Sequence, residues 1–189
     1  MSDKRSELEA LAADLVQRSG LRELSFRQLA DLAGIKSSSV HYYFPEKGDL
    51  TAVLISSYSA AFAQQLQALT HSQTSLHGKL MAFVDLFEAA ARDNKFCLCG
   101  MLAAELAALD ERSRSLLEGF FQHSEDWLTD LLSQHPGELS NPLAPRQLAA
   151  VFMSGLEGAL LLDRVQANGQ HLQAQRQLIA SCASSHSHN

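Results

Sequence analysis

Apolar residues recur every three or four positions along most of the chain. Leu8, Leu11 and Leu15 have this spacing, which predicts a helix over about residues 4–18. The same periodicity predicts further helices over about residues 26–34, 37–43, 47–69, 76–92, 110–134, 146–167 and 171–183. Residues 96–109 form an almost unbroken apolar stretch that contains a single carboxylate.

The composition agrees with this pattern. Leu and Ala account for 58 of the 189 residues, whereas the β-branched residues Val, Ile and Thr number only 13. Because Leu and Ala favour helices and β-branched residues favour strands, the chain is predicted to be all-α. An apolar content of 46% is too high for a disordered chain.

Two short helices near the N-terminus have the spacing of a helix-turn-helix. The first begins at a capping box formed by Ser25 and Gln28 and ends at Gly34, which permits a tight turn. We expect Ser37 to cap the second helix, and Pro45 ends it. The predicted core of this module consists of Phe26, Leu29, Ala33, Ile35, Val40, Phe44 and Leu50.

The second helix of this motif has a composition that suits a DNA groove. Its sequence, KSSSVHYYF over residues 36–44, combines short hydroxyls with a histidine and two tyrosines, where a soluble helix normally exposes Lys and Glu. Such groups can lie close to phosphates and base edges. The whole chain carries a net charge of −6, yet residues 18–47 carry +2, which weakly favours a polyanion site near the N-terminus.

Residues 26–50 resemble the TetR family of transcriptional regulators. The shared features are Ala33-Gly34-Ile35 between two helices, a short polar helix that ends in aromatic residues, and Lys47 at the start of a long helix. The chain departs from the family pattern with Lys36-Ser37-Ser38 in place of Ser-Lys-Gly, with His-Tyr-Tyr-Phe in place of Tyr-His-Tyr-Phe, and with Gly48 in place of Glu. These changes leave the fold prediction intact.

The resemblance implies an all-α protein with an N-terminal three-helix DNA-binding domain over residues 1–46. A helical effector-binding and dimerisation domain would follow over residues 47–184, with a polar tail over residues 185–189. The residues implied to contact DNA are Ser25 and Arg27 on the backbone, Lys36, Ser37, Ser38, Ser39, His41 and Tyr42 in the major groove, and Tyr43 and Lys47 on phosphates. The alternative is that these residues are ordinary polar surface.

A palindromic operator requires two copies of such a module, placed about 34–36 Å apart. The helices over residues 110–134 and 146–167 are the best candidates for a homodimer interface. In the latter, Gly155 and Gly158 leave room for close packing, while neighbouring Val and Leu residues supply apolar area. The resemblance also implies dimerisation through the last long helices. The alternative is that these helices form only the core of a monomer.

The resemblance further implies a pocket for an unknown small-molecule effector. Its candidate lining residues are Phe83, Phe87, Phe96, Met101, Phe120, Trp127 and Met153, with plain core packing as the alternative. Glu105 and Glu157 are carboxylates within otherwise apolar helices, and a buried charge requires a partner. That partner is either an arginine, such as Arg164 or Arg146, or a cationic or hydroxyl-bearing ligand.

Cys97 and Cys99 allow three interpretations. They are small buried apolar residues, or a thiol sensor in which Lys95 favours the thiolate, or part of a soft-metal site completed by Cys182 or a histidine. We expect no bound metal, and we keep both cysteines among the effector-site candidates.

Several classes of protein are excluded. The N-terminus lacks the apolar core of a signal peptide, no stretch is long and apolar enough to span a bilayer, and three cysteines suit a reducing cytoplasm. Motifs for hydrolases, zinc proteases and phosphate-binding loops are absent, so we expect neither catalytic residues nor a cofactor. The sequence therefore predicts a dimeric, cytoplasmic TetR-like repressor that an effector releases from DNA. The alternative is a TetR-fold protein that acts mainly through a protein partner, as nucleoid-occlusion factors do.

Overall fold

The computed structural model describes residues 2–72 and 75–183, and helices dominate this part of the chain. The helices are α1 (Ser2–Ser19), α2 (Phe26–Ala33), α3 (Ser37–Tyr43), α4 (Lys47–His71), α5 (Leu76–Arg92), α6 (Leu98–Ala104), α7 (Glu111–Ser133), α8 (Pro145–Gln166) and α9 (Gln170–Ser181). The all-α prediction is confirmed, and each helix predicted from periodicity is present within a few residues of its expected bounds. The apolar stretch over residues 96–109 folds as α6 and a short 3-10 turn, Leu106–Ala108.

The prediction that Ser37 caps α3 is wrong. Lys36 occupies the N-cap position with extended backbone, and no side chain bonds to the first turn. Ser37 is instead the first helical residue. The turn that follows Gly34 brings the chain into the helix one residue earlier than the hydroxyl pattern indicated, and the carbonyl of Lys36 accepts the first bond, from Ser39.

The described residues pack as two compact units. The first contains the chain up to Ala61 together with Lys95–Phe120, and the second contains Phe62–Asn94 and the chain from Phe121 onwards. Residues 47–61 and 95–120 thus pack with the N-terminal helices. The functional boundaries at residues 46 and 184 stay a prediction, and the polar tail over residues 185–189 lies outside the described residues.

The first unit has a core that the sequence pattern predicted in large part. Leu29, Ala33, Val40, Phe44 and Leu50 are all buried, as expected. Phe26 and Ile35 are half-buried. The core of α2 and α3 is completed by side chains from α1 and the following turn, which are Leu8, Ala12, Val16, Leu21 and Leu24.

The second unit is built on α5, α8 and α9. Arg176 of α9 forms ion pairs with Asp85 and Glu88 of α5, and the carboxylate of Asp85 raises the pKa of this guanidinium. Its interior contains Leu80, Phe83, Val84, Leu148, Phe152, Leu156 and Ile179. No helix among residues 2–72 and 75–183 has the length and hydropathy needed to cross a membrane.

Asp163 joins α8 to α9 in this unit. Its side chain is only 8% exposed, and its carboxylate accepts hydrogen bonds from the backbone N–H groups of His171 and Leu172 at 3.0 and 2.9 Å. The Nδ1 atom of His171 lies 2.8 Å from the same carboxylate. Burial raises the pKa of Asp163, but these hydrogen bonds outweigh it, and the net effect lowers the pKa. The carboxylate therefore caps the first turn of α9.

Replacing Asp163 by alanine is expected to lower the free energy of unfolding by about 2–4 kcal/mol, because buried N–H groups lose their acceptor. Chemical denaturation at a fixed protein concentration measures this loss. Asp126→Ala is the matched control, since this side chain is 48% exposed and pairs with Arg146 at the surface. Its removal should change stability by less than about 0.5 kcal/mol. Equal losses for the two variants would contradict the capping role.

Because the pKa of Asp163 is lowered in the folded protein, the free energy of unfolding should also depend on pH. A carboxyl group with a depressed pKa in the folded state contributes stability above its unfolded pKa of about 3.9. This contribution disappears as the pH falls through the folded pKa. The stability difference between the wild type and Asp163→Asn should therefore shrink as the pH is lowered from about 5 to about 2.

Candidate nucleic-acid interface

The turn between α2 and α3 is set by a hydroxyl cap and a glycine. The Ser25 hydroxyl accepts a hydrogen bond from the backbone N–H of Gln28 at 3.1 Å, which confirms the predicted N-cap. Gly34 has a φ of 66° and donates its N–H to the carbonyls of Ala30 and Asp31. This left-handed conformation favours glycine, and it turns the chain sharply from α2 towards α3.

Helix α3 has one buried side and one open side. Val40 and Phe44 are buried against the core of the first unit. His41 is exposed, and Tyr42 is 71% exposed, which is unusual for a large aromatic side chain. The remaining predicted contact residues are either exposed, namely Ser25, Arg27, Lys36, Ser38 and Lys47, or half-buried, namely Ser37, Ser39 and Tyr43. The structure thus places all ten of these residues on or beside the motif.

Helix α1 contacts the end of α2 and the residue that follows α3. The Nζ atom of Lys4 donates a hydrogen bond to the carbonyl of Ala33 at 3.4 Å, where α2 ends. The guanidinium of Arg5 lies over the ring of Phe44, 5.4 Å from its centroid. Such a contact combines cation–π attraction with packing of the side-chain stem. These contacts hold α2 and α3 in a fixed orientation.

Lys47 begins α4 next to the end of α3. The Lys47 side chain is exposed, but partial burial of its ammonium group lowers the pKa of this lysine, and the nearby carboxylate of Glu105 opposes that effect. Among the described residues its ammonium group forms no ion pair closer than 4.0 Å. A cation without such a partner, at the N-terminus of a 25-residue helix, suits a phosphate contact.

Glu105 pairs with an arginine, as one of the two alternatives predicted, but this arginine is Arg22 and neither Arg146 nor Arg164. Its carboxylate accepts the backbone N–H groups of Leu21 and Arg22 at 2.8 and 3.1 Å, in the turn that follows α1. The guanidinium of Arg22 adds an ion pair at 3.7 Å. Periodicity carries no signal for a contact that spans more than 80 residues.

Gly20 makes room for this carboxylate. Its φ is +90°, and a Cβ at this position would lie 2.3 Å from the Oε1 atom of Glu105. Gly20 therefore has two functions, since α1 ends just before it and its missing side chain admits that of Glu105. The turn between α1 and α2 is thereby tied to the end of α6.

A second carboxylate lies next to the helix-turn-helix, at the start of α4. A Cβ on Gly48 would lie 2.3 Å from the Oδ2 atom of Asp110, so glycine allows Asp110 to approach this first turn. Asp110 accepts the N–H of Ser113 at 2.7 Å, in the first turn of α7, and this bond lowers the pKa of Asp110. A cleft of about 120 Å³ lies here, lined by Leu21, Arg22, Lys47, Gly48, Thr51, Ala108, Leu109, Asp110 and Ser113.

The predicted effector residues are distributed over both units. Phe96, Cys97, Cys99, Met101, Glu105 and Phe120 belong to the first unit, and Phe83, Phe87, Trp127, Met153 and Glu157 belong to the second. In the second unit, the ring of Phe83 packs against Phe87 at 5.4 Å and stacks on Trp127 at 5.5 Å between centroids. Met153 is buried, and Glu157 is half-buried on α8. A role for any of these eleven residues in effector binding stays a prediction.

The cysteines are buried in the described part of the chain and form no disulfide there. The Sγ atom of Cys97 accepts the N–H of Gly100 at 3.4 Å, at the start of α6. Lys95 was expected to favour a thiolate, but its Nζ atom lies 3.0 Å from the carboxylate of Asp14. Nowhere in residues 2–72 and 75–183 do three or more His, Cys, Asp or Glu side chains come together in a group that could hold a metal ion.

Two models of known protein families match this chain, one in its N-terminal part and one in its C-terminal part. Residues 9–54 match the model described as "Bacterial regulatory proteins, tetR family", and these residues include the whole helix-turn-helix. Residues 77–177 match "Transcriptional regulator LmrA/YxaF-like, C-terminal domain". The second match alone covers more than half of the chain.

Individual proteins are similar over most of their length. The transcriptional regulator AcuR of Cereibacter sphaeroides is 29% identical over 171 residues, which cover 83% of this chain and 78% of that protein. A TetR-family regulator from Agrobacterium tumefaciens has a TM-score of 0.92 at 26% identity, over 97% of this chain and 99% of that one. A regulator from Legionella pneumophila has a TM-score of 0.85 at 29% identity, over 92% and 93% of the two chains.

Proposed function

The chain belongs to the TetR family of DNA-binding transcriptional regulators, which are not enzymes, and on that premise we propose that it is a repressor that binds a palindromic operator as a homodimer. An effector, either a small molecule or a thiol-reactive compound, releases it from the DNA. The proposal that the protein binds DNA through α3 rests on one observation. The open side of α3 presents polar and aromatic side chains, while Val40 and Phe44 anchor its other side.

The proposed DNA contacts are assigned to side chains of the motif that are exposed to solvent. Ser38, His41 and Tyr42 face solvent on α3 and would meet base edges in the major groove. Lys47 would bind a phosphate at the start of α4, and Arg27 would bind the backbone beside α2. Phosphate contacts fix the position of the module, and groove contacts select the sequence.

The proposed dimer interface lies on α8 and α9. Exposed large apolar side chains occur on these two helices, namely Val151, Leu161, Leu162, Val165 and Leu178. On α8, Val151, Gly158, Leu162 and Val165 are spaced so that they share one helix face. A Cβ on Gly158 would meet no atom within 4 Å, so this position leaves room for a partner helix. The larger apolar residues of α7 are buried or half-buried, which favours α9 over α7 as the second helix.

Release of DNA would use the segment that packs with the DNA-binding motif. Glu105 contacts the turn after α1, and Asp110 lies against the start of α4. An effector that moves residues 95–120 would therefore change the positions of α2, α3 and Lys47. It acts only if it binds the state without operator more tightly than the operator-bound state, because allosteric coupling is a difference in affinity.

A gel shift tests this proposal. Labelled DNA from upstream of the protein's own gene and of the neighbouring genes is titrated with the full chain, and random DNA is the competitor. We expect one fragment to shift specifically, and we expect one candidate small molecule or electrophile to reverse the shift. A Cys97→Ser, Cys99→Ser variant separates the two kinds of effector, because only a thiol-reactive compound loses its effect there. If no fragment shifts at moderate salt, or if random DNA competes equally, the proposal fails.

A further inference from the structure

We propose that His41 selects a base with an exocyclic amino group, either adenine or cytosine, by accepting a hydrogen bond at Nε2 in the major groove. The inference rests on the proposed function, since it requires that α3 enters this groove. The evidence for it is the hydrogen bond and the ring contact that fix the imidazole ring of His41 in the protein.

The first restraint on the ring fixes its proton. The Nδ1 atom of His41 lies 3.2 Å from the backbone carbonyl oxygen of Pro45. A carbonyl oxygen only accepts hydrogen bonds, so Nδ1 carries the hydrogen and donates it. The bond spans the end of α3, where the chain leaves the helix at Phe44. It therefore determines which of the two ring nitrogens faces away from the protein backbone.

The second restraint fixes the plane of the ring. The ring of Phe26 on α2 meets the ring of His41 edge to face, with centroids 4.7 Å apart and an angle of 73° between the planes. Phe26 is itself half-buried in the motif. The imidazole is therefore held by α2 and by the turn that follows α3, and its orientation requires little further ordering on binding.

The remaining nitrogen is available to DNA. His41 is exposed, and within the described part of the chain its Nε2 atom forms no hydrogen bond. Because Nδ1 already holds the proton, a neutral ring presents a lone pair at Nε2, and this atom can only accept.

The major groove offers this acceptor two kinds of partner. Adenine presents its N6 amino group and cytosine its N4 amino group as donors, whereas the polar atoms of guanine and thymine on that edge are acceptors. An Nε2 lone pair therefore favours adenine or cytosine, and it is repelled by the guanine and thymine oxygens. A protonated ring would donate at Nε2 and would have the opposite preference, for guanine or thymine.

The test combines base analogues with a ring substitution. On the operator found by gel shift, purine replaces adenine and 2-pyrimidinone replaces cytosine at one symmetric pair of positions at a time, which removes the amino group alone. Binding is measured for the wild type, for His41→Phe, which keeps a ring against Phe26 but has no nitrogen, and for Tyr42→Phe as the neighbouring control. Thermal unfolding checks that each variant is folded.

We expect one symmetric position at which the analogue weakens wild-type binding about tenfold for each half-site. His41→Phe should lose a similar factor on the natural operator and should bind natural and analogue DNA equally. Tyr42→Phe should keep the full analogue effect. The separate analogues show whether the amino group belongs to adenine or to cytosine.

Other outcomes overturn the inference. They are an analogue effect that persists in His41→Phe, or the absence of any position at which the analogue effect depends on residue 41. If His41→Phe does not fold, His41→Ala takes its place in the same comparison. Failure of the proposed function itself is distinct, because the wild type would then show no specific binding to any fragment.

Discussion

Replacing both Leu162 and Val165 of α8 by aspartate should convert the protein from a dimer to a monomer and abolish specific operator binding. These side chains are 47% and 81% exposed in the single chain, so the substitution costs the protomer little. In the proposed dimer it buries four carboxylates without partners, each of which costs several kcal/mol. A monomer then binds one half-site, and we expect its operator affinity to fall by at least about 100-fold.

Sedimentation equilibrium measures the mass, and fluorescence anisotropy on labelled operator measures the affinity. Leu106→Asp is the matched control, because Leu106 is an exposed leucine on the 3-10 turn of the first unit. It should leave the dimer intact. A double variant that keeps the mass of a dimer would show that this face of α8 is not the interface.

Replacing Tyr42 and Lys47 together by alanine should weaken operator binding by roughly 100- to 1,000-fold, since a dimer loses four contacts of about 1 kcal/mol each. Thermal unfolding should be nearly unchanged, because Tyr42 and Lys47 are both exposed. The dependence on salt separates the two contributions. Each lost phosphate contact reduces the slope of log Kobs against log salt by about 0.9, so Lys47→Ala alone should reduce it by about 2 in the dimer.

Arg92→Ala is the control for net charge, because Arg92 is an exposed cation at the end of α5. It should change neither the slope nor the affinity by more than a small factor. If Lys47→Ala left the salt slope unchanged, Lys47 would not contact phosphate. If Tyr42→Ala alone were neutral, the exposed tyrosine would lie outside the groove.

The helices could be predicted because their apolar faces repeat locally. Leu8 and Leu29 are buried where the three- and four-residue spacing placed them, and Val40 is buried as predicted for the core of the motif. The helix-turn-helix could also be predicted, since Ser25 and Gly34 mark the ends of α2 by their own local chemistry. The start of α3 was less predictable, because three successive serines offer equivalent caps and the backbone of the preceding turn selects none of them.

Contacts between distant segments could not be predicted. Glu105 was recognised as a carboxylate that needs a partner, but its closest partners are two backbone N–H groups in the turn after α1, and Arg22 of the same turn adds an ion pair. Backbone groups are the same at every position, so no residue type marks them in a sequence. Gly48 was noted as a departure from a family pattern, and only the structure shows that its missing side chain admits Asp110.

The insertion of α3 into the major groove is tested most directly by cleavage from a tethered chelate. Tyr42→Cys places a thiol on the exposed side of α3, whereas Cys97, Cys99 and Cys182 are buried. An iron chelate attached to the new thiol generates hydroxyl radicals when hydrogen peroxide is added, with ascorbate to reduce the iron again. On saturated operator DNA we expect two clusters of strand cleavage, centred about 10 base pairs apart or at a multiple of that distance. Cleavage spread evenly along the fragment, or none above that of identically treated wild type, would contradict the placement of α3 in the groove.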